Sequence, residues 1–328
     1  MRAAVVPSVN GKWEVRDVAR PEPGPNQVLI KIHASGICYT DVHETAGHIP
    51  GDFPRILGHE PVGEIVAVGP GVTTRKVGDR VGVPWVQTTC GRCEWCRRGK
   101  KMFCEKGIAT GIGIQGGHAE FMPAYAEATM VLPEGLSYEQ AAPLFCAGYT
   151  VWSGLRWADP KPGERVAVVG IGGLGHLAVQ YAKAAGFETI AVSHSPDKDK
   201  LIRELGADEI VRDGKGLARA GGADVVLGTS NSSDAMADTL QALRPDGRLV
   251  LMGVEGKAIP VFPAEMLGRR IRIIGSSQNG TEYLHEALAI AATGKVKVMA
   301  EIYPLQDVVR AYERVEKGQA RFRAVLTN

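Results

Sequence analysis

Up to about residue 150 the chain alternates short apolar runs with glycine and proline. Val28–His33 follows the turn-forming Pro21-Glu22-Pro23-Gly24-Pro25, Gly63–Val68 stops at Gly69-Pro70-Gly71, and Arg80–Val83 stops at Pro84. Short strands with this punctuation predict a mostly β domain. Further along, the period changes. Arg165–Val169 carries four apolar residues in a row, the pattern of a strand buried on both faces. Leu174, Leu177, Ala178, Tyr181, Ala182 and Ala185 then recur at helical spacing, with Gly186 as a stop. Strand patterns at Thr189–Val192, Asp224–Leu227, Arg248–Met252 and Ile271–Ile274, with a helix over Ser233–Leu243, continue the alternation. Such alternation predicts an α/β domain with a doubly wound parallel sheet. Helices over Glu282–Thr293 and Asp307–Lys317 lead to Phe322–Leu326, read as a strand returning to the first domain.

Composition narrows the class. A chain of 328 residues, 45% hydrophobic and 23% charged, can build two domains with their own cores. A formal net charge of +2 gives no electrostatic reason for a nucleic-acid or membrane-surface partner. No stretch approaches the ~20 apolar residues of a membrane span. The segment Met1–Pro7 meets a proline before a signal-peptide core could form, so the expected location is cytoplasmic.

Four of the six cysteines crowd into Cys90-Gly-Arg-Cys93-Glu-Trp-Cys96 and, seven residues on, Cys104. In a reducing compartment a disulfide framework is not expected. The short loops instead suit a closed tetrahedral zinc site of four thiolates, and Arg92, Arg97, Arg98, Lys100 and Lys101 would offset its negative charge. An iron–sulfur cluster also takes four cysteines and stays open as the alternative. Cys38, His59 and Cys146, if the fold brought them together, would form a three-ligand zinc site of the catalytic type; spacing does not establish that they meet.

Directly after Val166–Val169 comes Gly170-Ile-Gly172-Gly173-Leu174-Gly175, and then the amphipathic helix. In that context the three spaced glycines serve a tight turn, close backbone approach to a pyrophosphate and helix–strand packing, with the helix N-terminus facing the phosphates. The second strand would end in a carboxylate if it recognised a ribose 2′-hydroxyl. It ends instead in Ser193-His194-Ser195, followed by Lys198, a set suited to a 2′-phosphate. The reading favours NADP(H) over NAD(H), with Asp197 and Asp199 as carboxylates a loop could bring inward.

Taken together, Cys38-Tyr39-Thr40-Asp41-Val42-His43, Gly58-His59-Glu60, the four-cysteine run, Cys146–Thr150 and the glycine turn resemble the zinc-dependent medium-chain alcohol dehydrogenase family over essentially the whole chain. The resemblance implies a Rossmann domain over 148–277. It also implies a mostly β, GroES-like catalytic domain over 1–147 and 278–328, with a structural zinc lobe at about 88–106. It makes Cys38, His59 and Cys146 ligands of the catalytic zinc, Glu60 an exchangeable alternative ligand, and Cys90, Cys93, Cys96 and Cys104 ligands of the structural zinc, two zinc ions per subunit. Thr40 would hydrogen-bond the alcohol oxygen, His43 would end a proton relay, and Asp41 would orient His59. Thr150 would lie near the nicotinamide, Arg323 would pair with the pyrophosphate, and Trp85 would line the substrate pocket.

The implied function is interconversion of primary or secondary alcohols with aldehydes or ketones by hydride transfer to or from NAD(P). The implied partner is that small molecule alone, and the implied assembly a homotetramer of the microbial, yeast-like group, with a dimer as the alternative. Two departures stand out. Tyr39 occupies a place often held by a basic residue, and small residues around Thr45 and Ile49 suggest a pocket for alcohols larger than ethanol. The competing readings are a polyol, threonine or formaldehyde dehydrogenase on the same scaffold, and a non-catalytic nucleotide-binding or redox-sensing zinc protein.

Overall fold

The computed structural model describes residues 1–254 and 256–328. It divides into two compact units, Met1–Cys146 with Val298–Asn328, and Ala147–Lys297.

In the first unit the chain forms β1 (Gln27–Ile37), α1 (Tyr39–Thr45), β2 (Pro61–Val68), β3 (Arg80–Gly82), β4 (Phe121–Tyr125) and β5 (Met130–Val131). The second unit holds α2 (Ala147–Ala158), β6 (Arg165–Val169), α3 (Gly175–Ala184), β7 (Glu188–Val192), β8 (Glu209–Val211), β9 (Ala223–Gly228), β10 (Leu243–Leu251), β11 (Arg272–Gly275) and α4 (Thr281–Ala292). The chain then returns to the first unit through β12 (Ala300–Pro304), α5 (Val308–Glu316) and β13 (Arg323–Thr327).

The first unit's main sheet runs β12-β13-β1-β2-β3-β5, with β4 pairing β1. Val28, Ile30 and Ile32, two residues apart on β1, bury one face against Ile65, Val81 and Met122. Leu57, Tyr312 and Leu326 pack with Trp13 and Ile37 in a second cluster. Each such side chain, fully buried, contributes about 1.5–3 kcal/mol. The returning strand β13 pairs antiparallel with β1, as the apolar pattern at the C-terminus predicts.

The second unit is a six-stranded sheet in the order β8-β7-β6-β9-β10-β11, parallel throughout. Numbered within the unit, that order is 3-2-1-4-5-6, the doubly wound arrangement. Its central strands bury Ala167, Val169, Ile190, Val192, Val226 and Leu249, so their apolar runs are continuous rather than alternating.

Two expectations need correction. The return to the first unit comes at Val298, not at residue 278. Helix α4 packs on α2 through Leu284, Ala287, Leu288 and Ala291. The Tyr181 hydroxyl donates to the Ala287 carbonyl at 3.0 Å, and the Trp152 indole donates to Glu286 at 2.7 Å. These contacts belong to the doubly wound unit. The helix expected over Ser233–Leu243 is α-helical only over Ser233–Asp238; Thr239–Ala242 tightens into a 3₁₀ turn, because Leu243 already pairs as a strand with Ala223.

Candidate active site

Three strand ends of the first unit converge. On β1, Ser35 pairs with Pro61 of β2 and Ile37 pairs with Ala324 of β13. That register puts Cys38, just past β1, beside His59 and Glu60, just before β2, and beside Arg323, the first residue of β13. Cys146 joins from the end of a 3₁₀ turn over Ala142–Phe145. One donor atom from each of Cys38, His59, Glu60 and Cys146 lies within 4.8 Å of the others, and the two Sγ atoms are 3.8 Å apart.

The polar groups here are buried in a way that calls for a cation. His59 is 2% exposed, and neither ring nitrogen has a hydrogen-bond partner among the described residues; Glu60 Oε2 is in the same position. Such groups cost several kcal/mol each when left unpaired, roughly 1–3 by mutational measures. Glu60 Oε1 accepts from Arg323, itself buried. Burial pushes the Glu60 carboxyl up and Arg323 opposes it. The Cys146 thiol, with His59 and Arg323, holds the Cys38 thiol well below the usual thiol range. Burial disfavours charge on His59, but the Cys38 sulfur, Asp41 and Glu60 outweigh it and hold the imidazole up at about 10. Two sulfurs, an imidazole and a carboxylate at this spacing form a donor set that fits zinc. Gly36 makes room for it, since a Cβ there would stand 1.9 Å from Glu60 Oε2.

Around these donors the remaining residues sort as follows. Thr40, on the first turn of α1, has its hydroxyl oxygen 3.6 Å from Cys38 Sγ. His43, on the same helix, is half-buried, with its Nδ1 3.4 Å from that of His48. Trp85 packs edge-on against the His59 ring, with centroids 5.3 Å apart, so it fixes that imidazole. Asp41 forms no hydrogen bond to His59: its Oδ2 accepts the Cys38 N–H at 2.8 Å and its Oδ1 faces His118 Nε2 at 3.4 Å. Thr45 is 5% exposed, accepting from the Trp13 indole at 3.0 Å and donating to the Asp41 carbonyl at 2.7 Å. It fills the interior between α1 and Trp13 and does not widen a pocket. Arg323, expected at the pyrophosphate, is 4% exposed and committed to Glu60. Sequence reasoning missed that pairing, and it missed His118 and Glu44, both fully buried beside the site.

The four-cysteine segment closes on itself. The Sγ atoms of Cys90, Cys93, Cys96 and Cys104 lie within 4.8 Å of one another. Backbone N–H groups point at the sulfurs, Cys93 N to Cys90 at 3.3 Å, Cys90 N to Cys104 at 3.4 Å and Cys96 N to Cys93 at 3.5 Å. Amides from Arg92 and Cys93 bring the Cys90 thiol down to about 6. Donors aimed at sulfur favour thiolates, and thiolates are the form that binds metal.

In the second unit the glycine turn follows β6 directly. Gly170 has φ +89°, and a Cβ on it would stand 2.7 Å from Ser230 Cα, so glycine is required. A Cβ on Gly172 would meet nothing within 4 Å, so the space beside the turn is open. Gly173, Leu174 and Gly175 lead into α3. Past β7, the Ser193 hydroxyl accepts the Ser195 N–H at 3.4 Å, His194 is exposed, and Lys198 Nζ donates to the Ile171 carbonyl at 3.1 Å. Arg212, which sequence reasoning missed, donates to the Ser193 carbonyl at 3.1 Å and to Asp199 at 2.8 Å. That guanidinium holds the Asp199 carboxyl below the usual carboxylate range and offsets its charge. Thr150 lies half-buried on the first turn of α2.

Among the described residues no helix is long and apolar enough to cross a membrane. Residues 24–134 match the alcohol dehydrogenase GroES-like domain, and residues 173–293 match the zinc-binding dehydrogenase family. An alcohol dehydrogenase of Geobacillus stearothermophilus is 41% identical over 334 residues, 99% of each chain. The solved alcohol dehydrogenase of the archaeon Aeropyrum pernix superposes with a TM-score of 0.90 at 34% identity, covering 100% of both chains. A Bacillus subtilis (strain 168) relative named for formaldehyde dehydrogenase is 35% identical over 99% of this chain and 97% of its own, so that alternative is no better supported. The two domain matches, and the relatives' sequence and fold along essentially the whole chain, agree with the donor geometry: the protein belongs to the zinc-dependent medium-chain alcohol dehydrogenases, oxidoreductases that act on alcohols with a nicotinamide coenzyme.

Proposed function

We propose that this enzyme interconverts primary or secondary alcohols and their aldehydes or ketones with NADP(H) as the preferred coenzyme, using two zinc ions per chain. The observation that carries the reading is the meeting of Cys38, His59 and Cys146, with the Thr40 hydroxyl beside Cys38. These three side chains would hold the catalytic zinc, with Glu60 in reserve as a fourth donor, and the four-cysteine lobe would hold the second zinc. When bound, zinc supplies a Lewis acid that lowers the pKa of the substrate hydroxyl, and the nicotinamide exchanges a hydride with the carbinol carbon.

The chain's own residues handle the proton and the geometry. The Thr40 hydroxyl can accept the proton that leaves the alcohol while donating its own onward, and His43, half-buried on the same helix, passes it to solvent. Arg323 neutralises Glu60, so the site does not accumulate a second unpaired negative charge. Trp85 keeps the His59 ring in one orientation and offers an apolar edge to substrate carbon. Gly170, Gly172, Gly173, Leu174 and Gly175 would cradle the pyrophosphate, with Thr150 toward the nicotinamide. Ser193, His194, Ser195 and Lys198, with Asp199 tied to Arg212, support recognition of a 2′-phosphate.

The free, metal-suited thiols support a cytoplasmic location. The exposed Phe262 and Leu267, 64% and 79% accessible, support self-association, read here as a homotetramer with a dimer as the alternative. Metal analysis of the purified protein, with kcat/KM for a panel of alcohols and carbonyl compounds against both coenzymes, tests the reading. Two zinc ions per chain, and Cys38→Ser losing one of them with nearly all turnover, are the expected results. Undiminished turnover in that variant contradicts it.

A further inference from the structure

Helix α1 ends in a way that brings two histidines together. After its cap residue Ala46 comes Gly47, with φ +76°. The Gly47 N–H donates to the Glu44 carbonyl at 3.1 Å, and the His48 N–H donates to the His43 carbonyl at 2.9 Å. Those two bonds form the left-handed glycine stop common at helix ends. It sets the residue two past the cap, His48, against the residue three before it, His43. Only glycine takes that backbone conformation without strain, and a Cβ on Gly47 would also stand 2.9 Å from Val9 Cγ1.

The side chains meet accordingly. The two Nδ1 atoms are 3.4 Å apart, with ring centroids 5.7 Å apart. Two ring nitrogens in contact must hold one proton between them, so one ring donates and the other accepts. The Tyr39 phenol ring stands edge-on to His43 from one turn back, with centroids 5.2 Å apart. The acids of α1, Asp41 and Glu44, are buried, and Arg55 on the following segment is committed to the Glu44 and Ile49 carbonyls. Among the described residues the histidines in ion-pair contact with a carboxylate are His59 and His118, so neither ring of the pair has an acid against it. His43 is half-buried and His48 is exposed, so the pair runs from the interior side of the helix out to water.

We propose that His48 is a positioning residue for the proton exit: it holds the His43 ring through Nδ1 and carries the proton leaving that atom on to water. His43 gains a proton at Nε2 as its Nδ1 proton passes to His48 Nδ1, and His48 gives up its own Nε2 proton to solvent. One proton enters the pair and one leaves for each alcohol oxidised, so neither ring keeps a charge. Carbonyl reduction runs the same transfers backwards. The proposal rests on the reading of His43 given above.

The test measures alcohol oxidation by the full-length, zinc-loaded wild type, His43→Gln, His48→Gln and the double variant. Each is assayed in H2O and in D2O, with and without imidazole added to the buffer. Glutamine keeps a hydrogen-bonding group beside its neighbour but cannot carry the proton. His48→Gln should lower kcat about tenfold and leave KM unchanged. That is less than the about 10²-fold expected for His43→Gln, because His43 can still release to water directly. The solvent isotope effect on kcat should grow in His48→Gln, and added imidazole should restore most of the rate. The double variant should be no slower than His43→Gln alone, since His48 acts through His43. A slowed His43→Gln beside an unchanged His48→Gln overturns the proposal and leaves His48 a helix-end residue. So does a loss in His48→Gln that imidazole does not restore and that comes with a lowered thermal midpoint. An undiminished kcat in His43→Gln overturns the reading of His43 itself, and this proposal with it.

Discussion

Arg323 and Glu60 meet as a buried ion pair although 263 residues separate them in the chain. The pairing follows from strand register, since β13 lies against β1 and β1 against β2. With 4% and 0% exposure, neither charge has water to fall back on. Removing one partner of such a pair costs about 3–5 kcal/mol, because the other is left charged in the interior. Arg323→Met should therefore lower the urea midpoint of the first unit by that equivalent, and adding Glu60→Gln should recover part of the loss. Equal stability of the single and double variants would show that the pair is not coupled.

The features legible in the sequence were those written locally. Cys90 to Cys104 span one short segment, and the glycine turn sits between a strand pattern and a helix pattern, so spacing alone located both. Pairing of Arg323 with Glu60 and of Thr45 with Trp13, and the approach of His118 to Asp41, depend on which strands lie side by side and on how α1 is rotated. No periodicity encodes that. Helix α4 was read as a helix correctly but given to the wrong unit, because an apolar face does not state which neighbour will cover it. Arg212 was missed for the same reason: only the parallel pairing of β7 with β8 brings it to Ser193.

The four-cysteine lobe should be separable from the chemistry. Cys104→Ser should remove one zinc per chain, measured by elemental analysis, and lower the thermal midpoint. Part of the turnover should survive in whatever fraction stays folded, because the lobe contributes no residue to the Cys38–His59–Cys146 cluster. Loss of both zinc ions in this variant would show that the two sites are not independent.

Coenzyme choice can be shifted at one position. Ser193→Asp places a carboxylate at the end of β7, where it can accept from a ribose 2′-hydroxyl and repels a 2′-phosphate. The ratio of kcat/KM for NADPH over NADH should fall by about tenfold or more, equivalent to about 1.4 kcal/mol. An unchanged ratio would mean that this loop does not select the coenzyme.

Acid stability should depend on Glu301. Arg314 binds its carboxylate, with further bonds from the Tyr303 hydroxyl and the Arg321 N–H, and together they bring its pKa from 4.5 down to about 2. A depressed carboxylate stabilises the fold above its unfolded pKa, and the gain disappears as pH falls through the folded value. Glu301→Gln should accordingly be less stable than wild type at pH 6, and the gap should close as pH drops from about 4.5 toward 2. Urea midpoints across that range measure it; a gap that stays constant with pH would assign the effect to packing.

The central claim is tested most directly by an anomalous difference map recorded at the zinc edge from crystals of the wild-type protein. The account predicts one peak among Cys90, Cys93, Cys96 and Cys104. It predicts a second about 2.3 Å from the sulfurs of Cys38 and Cys146 and about 2.0–2.1 Å from a ring nitrogen of His59. A single peak, confined to the four-cysteine lobe, would contradict it.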